Sequence, residues 1–386
     1  MKTAPFSRLA QHTLLGTLGV LLIAGCTEST STNTTNTSKA AAEPMLSSAP
    51  NHRQESQSYF TETLPPPVST ATVKTTVVKP ITTTMTPSYA SLPNYVPNHA
   101  VRGRVRSIGS DTMDQIVAAW EKDFKNYHQG IRVIHEGKGS STAIPALVEG
   151  RSDFGPMSRN VKPAEVEKFK AQFGYEPTSL PVAIDALAVY VHPDNPIKDR
   201  GLSMSELDAI FSSTRRRGYS KDIVTWGDLG LTGDWANKPI NVYSRNSASG
   251  TYGFFKDEVL NKGKYKSTNR ELSGSEEVVR SVENDPYGIG YSGFGYKTSG
   301  VSTTPIIEGS NPIQANEENA VNGSYPLSRN LYLTFNQRPG TEPKTLHAEF
   351  IRYVYSSEGQ GKVSANGYFP VSPATADQQL TTLGLH

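Results

Sequence analysis

The chain has 386 residues, of which 36% are hydrophobic, and its mean hydropathy is −0.45, so part of it is expected to lie outside a packed core. Lys and Arg total 38 against 36 Asp and Glu, and the resulting net charge of +2 argues against a polybasic nucleic-acid binder. The single cysteine excludes an internal disulfide framework, a cysteine-based zinc site and a CxxC redox pair.

The N-terminus has the pattern of an export signal. Two basic residues precede an apolar run that is shorter than the about 20 residues a transmembrane helix needs. The run ends in Leu-Ile-Ala-Gly-Cys at 22–26, which resembles the lipobox of bacterial lipoproteins, whose cysteine is acylated. We therefore expect a signal peptide over 1–25 and a lipid on Cys26 that anchors the exported protein to a bacterial membrane, facing the periplasm or the cell surface. Thr27 follows instead of an aspartate, which leaves the outer membrane open as the destination.

The composition of the next part of the chain is typical of a flexible tether. Residues 27–99 are dominated by Ser, Thr, Pro and Asn and show no helical periodicity. Such a composition buries too little apolar surface to offset the loss of chain entropy on folding. We expect a disordered tether over 26–101 and a folded body that begins near Arg102.

Strand-like runs alternate with polar loops and helix-like stretches through the rest of the chain. The runs VRSIG, IRVIHEG and INVYSR are typical strands, and LPVAIDALAVYVH at 180–192 is long enough to pass between two domains. After the first loop, apolar residues recur at helical spacing: Met113, Ile116, Val117, Trp120 and Phe124. The alternation predicts an α/β architecture with mixed, mostly parallel sheets.

Three of the polar loops share one chemistry. GSDT at 109–112, GKGSST at 137–142 and SRNSASGT at 244–251 each follow a strand, precede a helix and are rich in Gly, Ser and Thr. A helix N-terminus presents unpaired N–H groups and the positive end of its dipole, and hydroxyl side chains there either cap the helix or donate to a bound anion. Because three such loops occur together and one contains an arginine, the sequence predicts a shared anion site.

The motifs of the common enzyme classes are missing from the sequence. The eight histidines are scattered without an HExxH pattern, Ser249 does not lie in a GxSxG nucleophile elbow, and 137–139 is not part of a P-loop. We expect a binding protein that is not an enzyme and needs no metal or cofactor.

These loops resemble those of the PstS family, the phosphate-binding lipoproteins of ABC-type phosphate importers. GSDTM, EGKGSSTA, DFGPMSR and SRNSASGTYGFF stand in the family's order and spacing, and the similarity extends over 102–373. The resemblance implies a two-lobed periplasmic-binding-protein fold, with mixed and mostly parallel sheets, that closes on one phosphate in an interdomain cleft. It further implies a monomer that delivers phosphate to the permease subunits of an ABC transporter and binds no nucleic acid.

The resemblance also implies how the chain is divided. Lobe I is expected to be discontinuous, comprising 102–188 and 330–386, and lobe II to span 189–329. The two crossings, near Ala188 and Asn330, would then form the hinge.

Carried over residue by residue, the resemblance implies donors to the anion from all three loops: Thr112, Met113 through its backbone N–H, Ser140, Arg245, Ser249, Gly250 and Thr251. Ser110 adds a further hydroxyl in the first loop. A buried phosphate has lost its hydration and needs many fixed donors, and each hydrogen bond to a charged group contributes about 1.5–3 kcal/mol.

The chain departs from the family's pattern at one place. Well-known members have an aspartate after the DFG strand that accepts a hydrogen bond from a protonated phosphate oxygen and so rejects sulfate, whereas this chain has Ser158 and Arg159. Asp111 and Asp185 are the candidate replacements, although Asp111 is equally suited to capping a helix and Asp185 to a role in the hinge or core. Arg159 would add a second positive contact or pair with Asp185, so selectivity between phosphate and sulfate stays open.

Two alternative functions remain from the sequence. The long Ser/Thr tether is unusual for an importer component and favours a cell-surface scavenger or adhesin that is not obligatorily coupled to uptake. The other alternative is a receptor for a different oxyanion, such as sulfate.

Overall fold

The computed structural model of the protein describes residues 88–386. The predicted signal peptide, Cys26 and the tether up to residue 87 lie outside the described residues. Within 88–386, no helix has both the length and the apolar character that crossing a bilayer requires.

Twelve strands are formed in this part of the chain, and most coincide with the β-branched and aromatic runs of the sequence. They are β1 (Gly103–Gly109), β2 (Ile131–Gly137), β3 (Phe154–Met157), β4 (Thr178–Val191), β5 (Leu202–Ser203), β6 (Asn241–Arg245), β7 (Arg270–Leu272), β8 (Gly288–Gly293), β9 (Ser302–Thr304), β10 (Ile306–Glu308), β11 (Asn311–Ile313) and β12 (Ser328–Phe335).

Eleven α-helices lie between and after these strands. They are α1 (Asp114–Tyr127), α2 (Ala143–Val148), α3 (Pro163–Phe173), α4 (Ile197–Arg200), α5 (Met204–Phe211), α6 (Gly250–Glu258), α7 (Ser275–Glu283), α8 (Glu317–Val321), α9 (Thr345–Val354), α10 (Ser357–Ala365) and α11 (Pro373–Thr382). The apolar residues predicted at helical spacing before and along α1 are all buried.

Nine strands form one mixed sheet in the order β2-β1-β3-β12-β4-β8-β6-β7, with β9 also paired to β4. The long strand β4 joins its two parts, because Thr178–Ala186 pairs with β12 and Leu187–Val191 pairs with β8 and β9. Strands β1, β2 and β3 are parallel to one another, so the loops that follow them leave the same edge of the sheet. Strands β6, β7 and β8 are parallel as well.

Two hydrophobic cores lie on either side of this junction. Leu180, Val182 and Ala183 of β4 belong to the first core, with α1, β1, α9 and α10, and the strand enters the second core at Ala186. The second core contains the last part of β4 together with α5, α6, α7 and β8. Strand β12 returns the chain from Leu327, in the second core, to Leu331 in the first. The described chain is thus made of two halves linked by two adjacent antiparallel strands.

The packed chain begins earlier than the expected Arg102. Leu92 and Tyr95 are buried in the first core. The Tyr95 hydroxyl donates to Glu349 Oε2 of α9 (2.8 Å) and lies 2.7 Å from His128 Nε2. We call residues 88–98 the N-terminal strap.

The side chains of an arginine-rich turn at 215–217 bind the C-terminal end of helix α6. Arg217 donates from Nε to the carbonyl oxygen of Val259 (2.6 Å) and from a terminal nitrogen to that of Glu258. Arg216 donates to the carbonyl oxygens of residues 261 and 262. Positive side chains at this end complement the helix dipole, so the turn stabilises the helix whose N-terminus reaches the site described next.

Candidate functional site

The three predicted loops meet where the two halves of the chain face each other. The loop after β1 and the loop after β2 belong to the first half and lead into α1 and α2 through single turns of 3₁₀ helix. The loop after β6 belongs to the second half and leads into α6. Helix N-termini from both halves are therefore directed toward one region.

Serine hydroxyls from three separate loops form a buried cluster in this region. Ser110 donates from its hydroxyl to Ser158 Oγ (3.1 Å), and Ser140 Oγ lies 3.3 Å from the same atom. The backbone N–H of Ser158 donates to Ser140 Oγ (3.0 Å). All three side chains are buried. Ser158, one of the two residues at the place where the resemblance implies an aspartate, is thus the centre of a group of neutral hydroxyls.

Threonine hydroxyls continue the cluster across the cleft. Thr112 Oγ1, of the first half, lies 2.9 Å from Thr251 Oγ1, at the start of α6 in the second half. Gly250 packs directly against the serines, since a Cβ there would lie 2.2 Å from Ser140 Oγ and 2.5 Å from Ser158 Oγ. We call Ser110, Thr112, Ser140, Ser158 and Thr251 the hydroxyl cluster.

The second and third loops also touch through their backbones. Ser141 donates from its hydroxyl to the carbonyl oxygen of Ala248 (2.8 Å). Gly139 has φ of +97°, and a Cβ there would lie 2.4 Å from the same carbonyl oxygen. A side chain at 139 would therefore be strained and would also hold the two loops apart.

The remaining predicted loop residues have local bonds. Ser249 Oγ caps α6 by accepting from the N–H groups of Thr251 (3.1 Å) and Tyr252 (3.4 Å). The N–H of Met113 donates to the carbonyl oxygen of Ser110 (3.2 Å). Ser249 is therefore a helix cap as well as a hydroxyl at the site.

Arg245 is fully buried at the end of β6. It donates from Nη1 to Ser275 Oγ (2.7 Å) and from Nη2 to the carbonyl oxygen of Ser273 (2.6 Å). Nη2 also lies 2.7 Å from Asp111 Oδ1. Its Nε–H has no hydrogen-bond acceptor among the described residues. A buried cationic donor without an acceptor is costly, so the position is suited to an anionic partner.

Asp111 bridges the cleft to helix α7. Its Oδ2 accepts from the backbone N–H (3.1 Å) and the hydroxyl (3.0 Å) of Ser275, the first residue of α7. The carboxylate therefore lies at the N-terminus of a helix in the other half, where the helix dipole favours negative charge, and does not cap its own helix as the sequence allowed. Its Oδ1 is buried and accepts no hydrogen bond of good geometry within 88–386.

Asp185 is held by an arginine that we did not predict. Arg329 donates to Asp185 Oδ2 from Nε (3.0 Å) and Nη2 (2.8 Å), and the two residues lie directly opposite each other on β12 and β4. The N–H of Phe294 donates to Asp185 Oδ1 (2.9 Å). Both carboxylate oxygens of this fully buried residue are therefore engaged.

Arg159 neither pairs with Asp185 nor joins the hydroxyl cluster. It donates to both carboxylate oxygens of Glu165, at 2.8 and 2.7 Å, and to the carbonyl oxygen of Asn160. Glu165 is fixed at the start of α3, where it also accepts from the N–H of Lys162. This bidentate pair lies within seven residues of chain, and its planar geometry satisfies the guanidinium locally.

The sequence provided little basis for finding Arg329 and Ser275. Arg329 lies at the predicted end of lobe II and in no motif of the family, and Ser275 is an ordinary helix-start residue. One signal was detectable. Arg329 is two residues from both Leu327 and Leu331, which are apolar and buried, so a charged side chain stands on the buried face of β12. No group of His, Cys, Asp and Glu within 88–386 is arranged to hold a metal ion.

Comparison with known proteins agrees with this architecture. Residues 75–358 match the PBP superfamily domain. The chain is 47% identical over 297 residues to the phosphate-binding protein PstS of Pseudomonas aeruginosa, an alignment that covers 76% of this chain and 91% of that protein. The phosphate-binding protein PstS of Staphylococcus epidermidis is 27% identical over 287 residues, covering 73% and 83%.

Solved structures share the fold. An ABC-type phosphate transport receptor from Vibrio cholerae has a TM-score of 0.54 at 20% identity, covering 69% of this chain and all of that one. A Clostridium perfringens protein solved with bound phosphate has a TM-score of 0.59 at 24% identity, covering 70% and 100%. These similarities confirm the predicted two-lobed α/β fold. The chain belongs to the PBP superfamily and, within it, to the PstS family of phosphate-binding proteins.

Proposed function

We propose that this protein binds inorganic phosphate in the cleft between its two halves and delivers it to the membrane permease of an ABC phosphate importer. The observation that carries the proposal is the buried Arg245, whose Nε–H has no acceptor within 88–386 and lies in a region where helix N-termini and hydroxyl groups converge. Its relationship to the PstS protein of Pseudomonas aeruginosa supports phosphate as the anion.

The anion contacts that we propose come from both halves. In the first half they are Ser110, Thr112, Met113, Ser140 and Ser158, and in the second half Arg245, Ser249, Gly250 and Thr251. Neutral hydroxyl and N–H donors can bind a dehydrated anion without adding net charge to the site, and Arg245 adds one charge-assisted bond. Arg159 is left out of this set, since Glu165 already holds its guanidinium.

For the proton acceptor we favour Asp111 over Asp185. Asp111 Oδ1 is a buried carboxylate oxygen without a well-formed hydrogen bond, and it lies beside Arg245. Apart from the Arg245 guanidinium, with Nη2 2.7 Å away, Oδ1 has no donor among the described residues, so it can accept from a protonated phosphate oxygen while the Arg245 Nε–H donates to an unprotonated one. Asp185 already accepts from Arg329 and Phe294 on its two oxygens.

The two hydrophobic cores support the proposed division into lobes. The predicted boundary residues Ala188 and Asn330 lie in β4 and β12, the two strands that connect the cores. We propose that these strands form the hinge and that bound phosphate favours the closed form recognised by the permease.

We also propose that the protein is an exported, monomeric lipoprotein anchored through Cys26 and without catalytic activity. The lipobox-like sequence at 22–26 supports the anchor. The adhesin alternative rests on the composition of the predicted tether, most of which lies outside the described residues, and no described residue favours it.

Isothermal titration calorimetry tests the binding proposal. The protein, expressed without residues 1–26, is unfolded and refolded to remove carried-over ligand and then titrated with phosphate, sulfate, arsenate and molybdate. We expect one tight phosphate site with little response to sulfate. Preference for another oxyanion would overturn phosphate as the ligand, and no response to any of the four would overturn the anion site.

Loss of the buried guanidinium is expected to weaken this binding strongly. Arg245→Ala removes a charged donor from a buried anion, which we expect to lower phosphate affinity by about 2–4 kcal/mol, or about 30- to 1,000-fold. Arg151→Ala is the matched control, because Arg151 is an exposed arginine paired with Glu149, two residues earlier. Equal affinity of Arg245→Ala and the control would remove Arg245 from the site.

Selectivity is expected to depend on Asp111. Asp111→Asn should weaken phosphate binding while sparing or improving sulfate binding, because an amide nitrogen in place of Oδ1 donates where a protonated phosphate oxygen needs an acceptor. Asp185→Asn should leave the ratio of the two affinities unchanged. Titrations of both variants with both anions check this, and a changed ratio for Asp185→Asn alone would reverse the assignment.

A further inference from the structure

Arg329 connects the strands between the two halves with the hydroxyl cluster. Its side chain is buried, and its Nε and Nη2 both donate to Asp185 on the neighbouring strand. Nη1 donates to the carbonyl oxygen of Ser158 (2.9 Å) in the first half, and Nη2 donates to Thr251 Oγ1 (2.9 Å) in the second half. One guanidinium thus bonds to both walls of the cleft.

The guanidinium is also held against movement. Its central carbon lies 5.2 Å from the centre of the Phe254 ring, on helix α6. A planar, five-donor group that is stacked on one side and bonded at three nitrogens has little rotational freedom. Lysine has a single terminal nitrogen and cannot reproduce this set of contacts.

The bond to Thr251 has a consequence for the direction of that hydroxyl group. A threonine hydroxyl has one proton, and an oxygen that accepts from Arg329 must direct its own proton elsewhere. The other oxygen that lies beside it is Thr112 Oγ1, at 2.9 Å across the cleft. The bond from Arg329 therefore directs the Thr251 proton away from the guanidinium, and a hydrogen bond from a cation makes the hydroxyl a stronger donor.

We propose that Arg329 is a positioning residue for the anion. It orients and polarises the Thr251 hydroxyl so that its proton is donated into the cleft when an oxyanion is present. This role rests on the proposed phosphate function. In it, Arg329 acts on the anion through the Thr251 hydroxyl.

A double-mutant cycle on phosphate affinity tests the proposal. Arg329→Gln and Thr251→Val are titrated with phosphate singly and combined, in the protein lacking residues 1–26. We expect each single change to weaken binding by about 10- to 100-fold and the double variant to bind no more weakly than the weaker single variant. Losses that multiply in the double variant would overturn the proposal.

A second cycle distinguishes positioning from a general structural role. Arg245 belongs to the proposed site but shares no hydrogen-bond partner with Arg329 among the described residues. We expect the losses of Arg245→Ala and Arg329→Gln to multiply, whereas equal coupling of Arg329 to Arg245 and to Thr251 would show that Arg329 only maintains the fold.

The fold itself needs a separate control, because Arg329→Gln leaves Asp185 as an unpaired buried carboxylate. Both cycles are therefore repeated in an Asp185→Asn background, where a neutral Gln–Asn pair replaces the ion pair, and melting temperatures are recorded. Absence of phosphate binding by the unmodified protein would overturn the proposed function and, with it, this inference. Binding by the unmodified protein without coupling to Thr251 would overturn the inference alone.

Discussion

Asp114 is a half-buried carboxyl group beside the candidate site. Burial and the nearby negative charge of Asp111 raise its pKa to about 6, and the positive groups of His135 and Arg245 oppose this increase only in part. Gly137 leaves the space that the carboxyl occupies, since a Cβ there would lie 2.0 Å from Asp114 Oδ2. The group therefore changes charge within the mildly acidic range.

The raised pKa of Asp114 predicts how stability depends on pH. The folded protein retains the proton up to about pH 6, whereas the unfolded chain loses it near 3.8, so the stabilisation by the neutral form is complete below pH 3.8 and is lost as pH rises through 6. Asp114→Asn should therefore be more stable than the unmodified protein at pH 7.5, by about 1–2 kcal/mol after allowance for solvent screening.

Urea unfolding at pH 4 and pH 7.5 measures this effect. The unmodified protein should lose stability relative to Asp114→Asn over that interval. An identical change in both proteins would mean that Asp114 has an ordinary pKa.

The close packing of Gly250 against the serine hydroxyls predicts that a side chain at this position weakens phosphate binding. Gly250→Ala places a methyl group 2.2 Å from Ser140 Oγ and 2.5 Å from Ser158 Oγ, so the hydroxyl cluster must separate and phosphate affinity should fall at least 10-fold. Gly253→Ala, three residues along the same helix, meets only an Arg159 methylene at 3.4 Å and should bind as the unmodified protein does. Calorimetric titration of both variants checks this, and normal binding by Gly250→Ala would show that the cluster opens freely.

Among the elements, the N-terminal strap shows how a few buried side chains fix a segment whose regular structure is a single 3₁₀ turn, Ser88–Ser91. Its bonds reach α9 through Glu349 and α10 through Ser357, whose N–H donates to the carbonyl oxygen of Pro93 (2.9 Å). Four aromatic rings surround that of Tyr95, among them Phe124 and Tyr353. The strap therefore contributes to the core of the first half.

Tyr95→Phe is expected to destabilise the fold and leave binding intact. The change removes the hydroxyl that donates to the buried carboxylate of Glu349, which should cost about 1–3 kcal/mol. Tyr127→Phe is the matched control, since Tyr127 touches the same ring but is partly exposed. Thermal unfolding and phosphate titration of both variants separate the two effects, and equal melting temperatures would show that the strap adds no stability.

An element can be predicted from the sequence when the interactions that form it are local along the chain. Helix α1 and strand β4 were predicted because periodicity and β-branched runs are local signals, and the loops at 109–112, 137–142 and 244–251 were found from their composition and position. The strap was missed because its Ser, Pro and Asn content is typical of disorder, and two buried residues among them, Leu92 and Tyr95, do not change that average.

At the scale of the whole molecule, the site depends on contacts between residues far apart in the chain. Ser275 is 164 residues from Asp111, and Arg329 is 144 residues from Asp185. No local pattern encodes such pairs, so the sequence analysis identified Asp111 and Asp185 as candidates without their partners. The family resemblance supplied the candidate donors, and only the packed structure supplied the partners of Asp111 and Asp185.

Because the strap packs in the first core, it also determines where a mechanical load on the N-terminal end of the chain would act. A pull applied ahead of residue 88 enters the fold through Leu92 and Tyr95 and is carried into α9 and α10, all within the first core. The chain passes to the second half through β4 and β12. A tension applied between the N-terminus and a point on the first half would therefore strain that half and bypass the second.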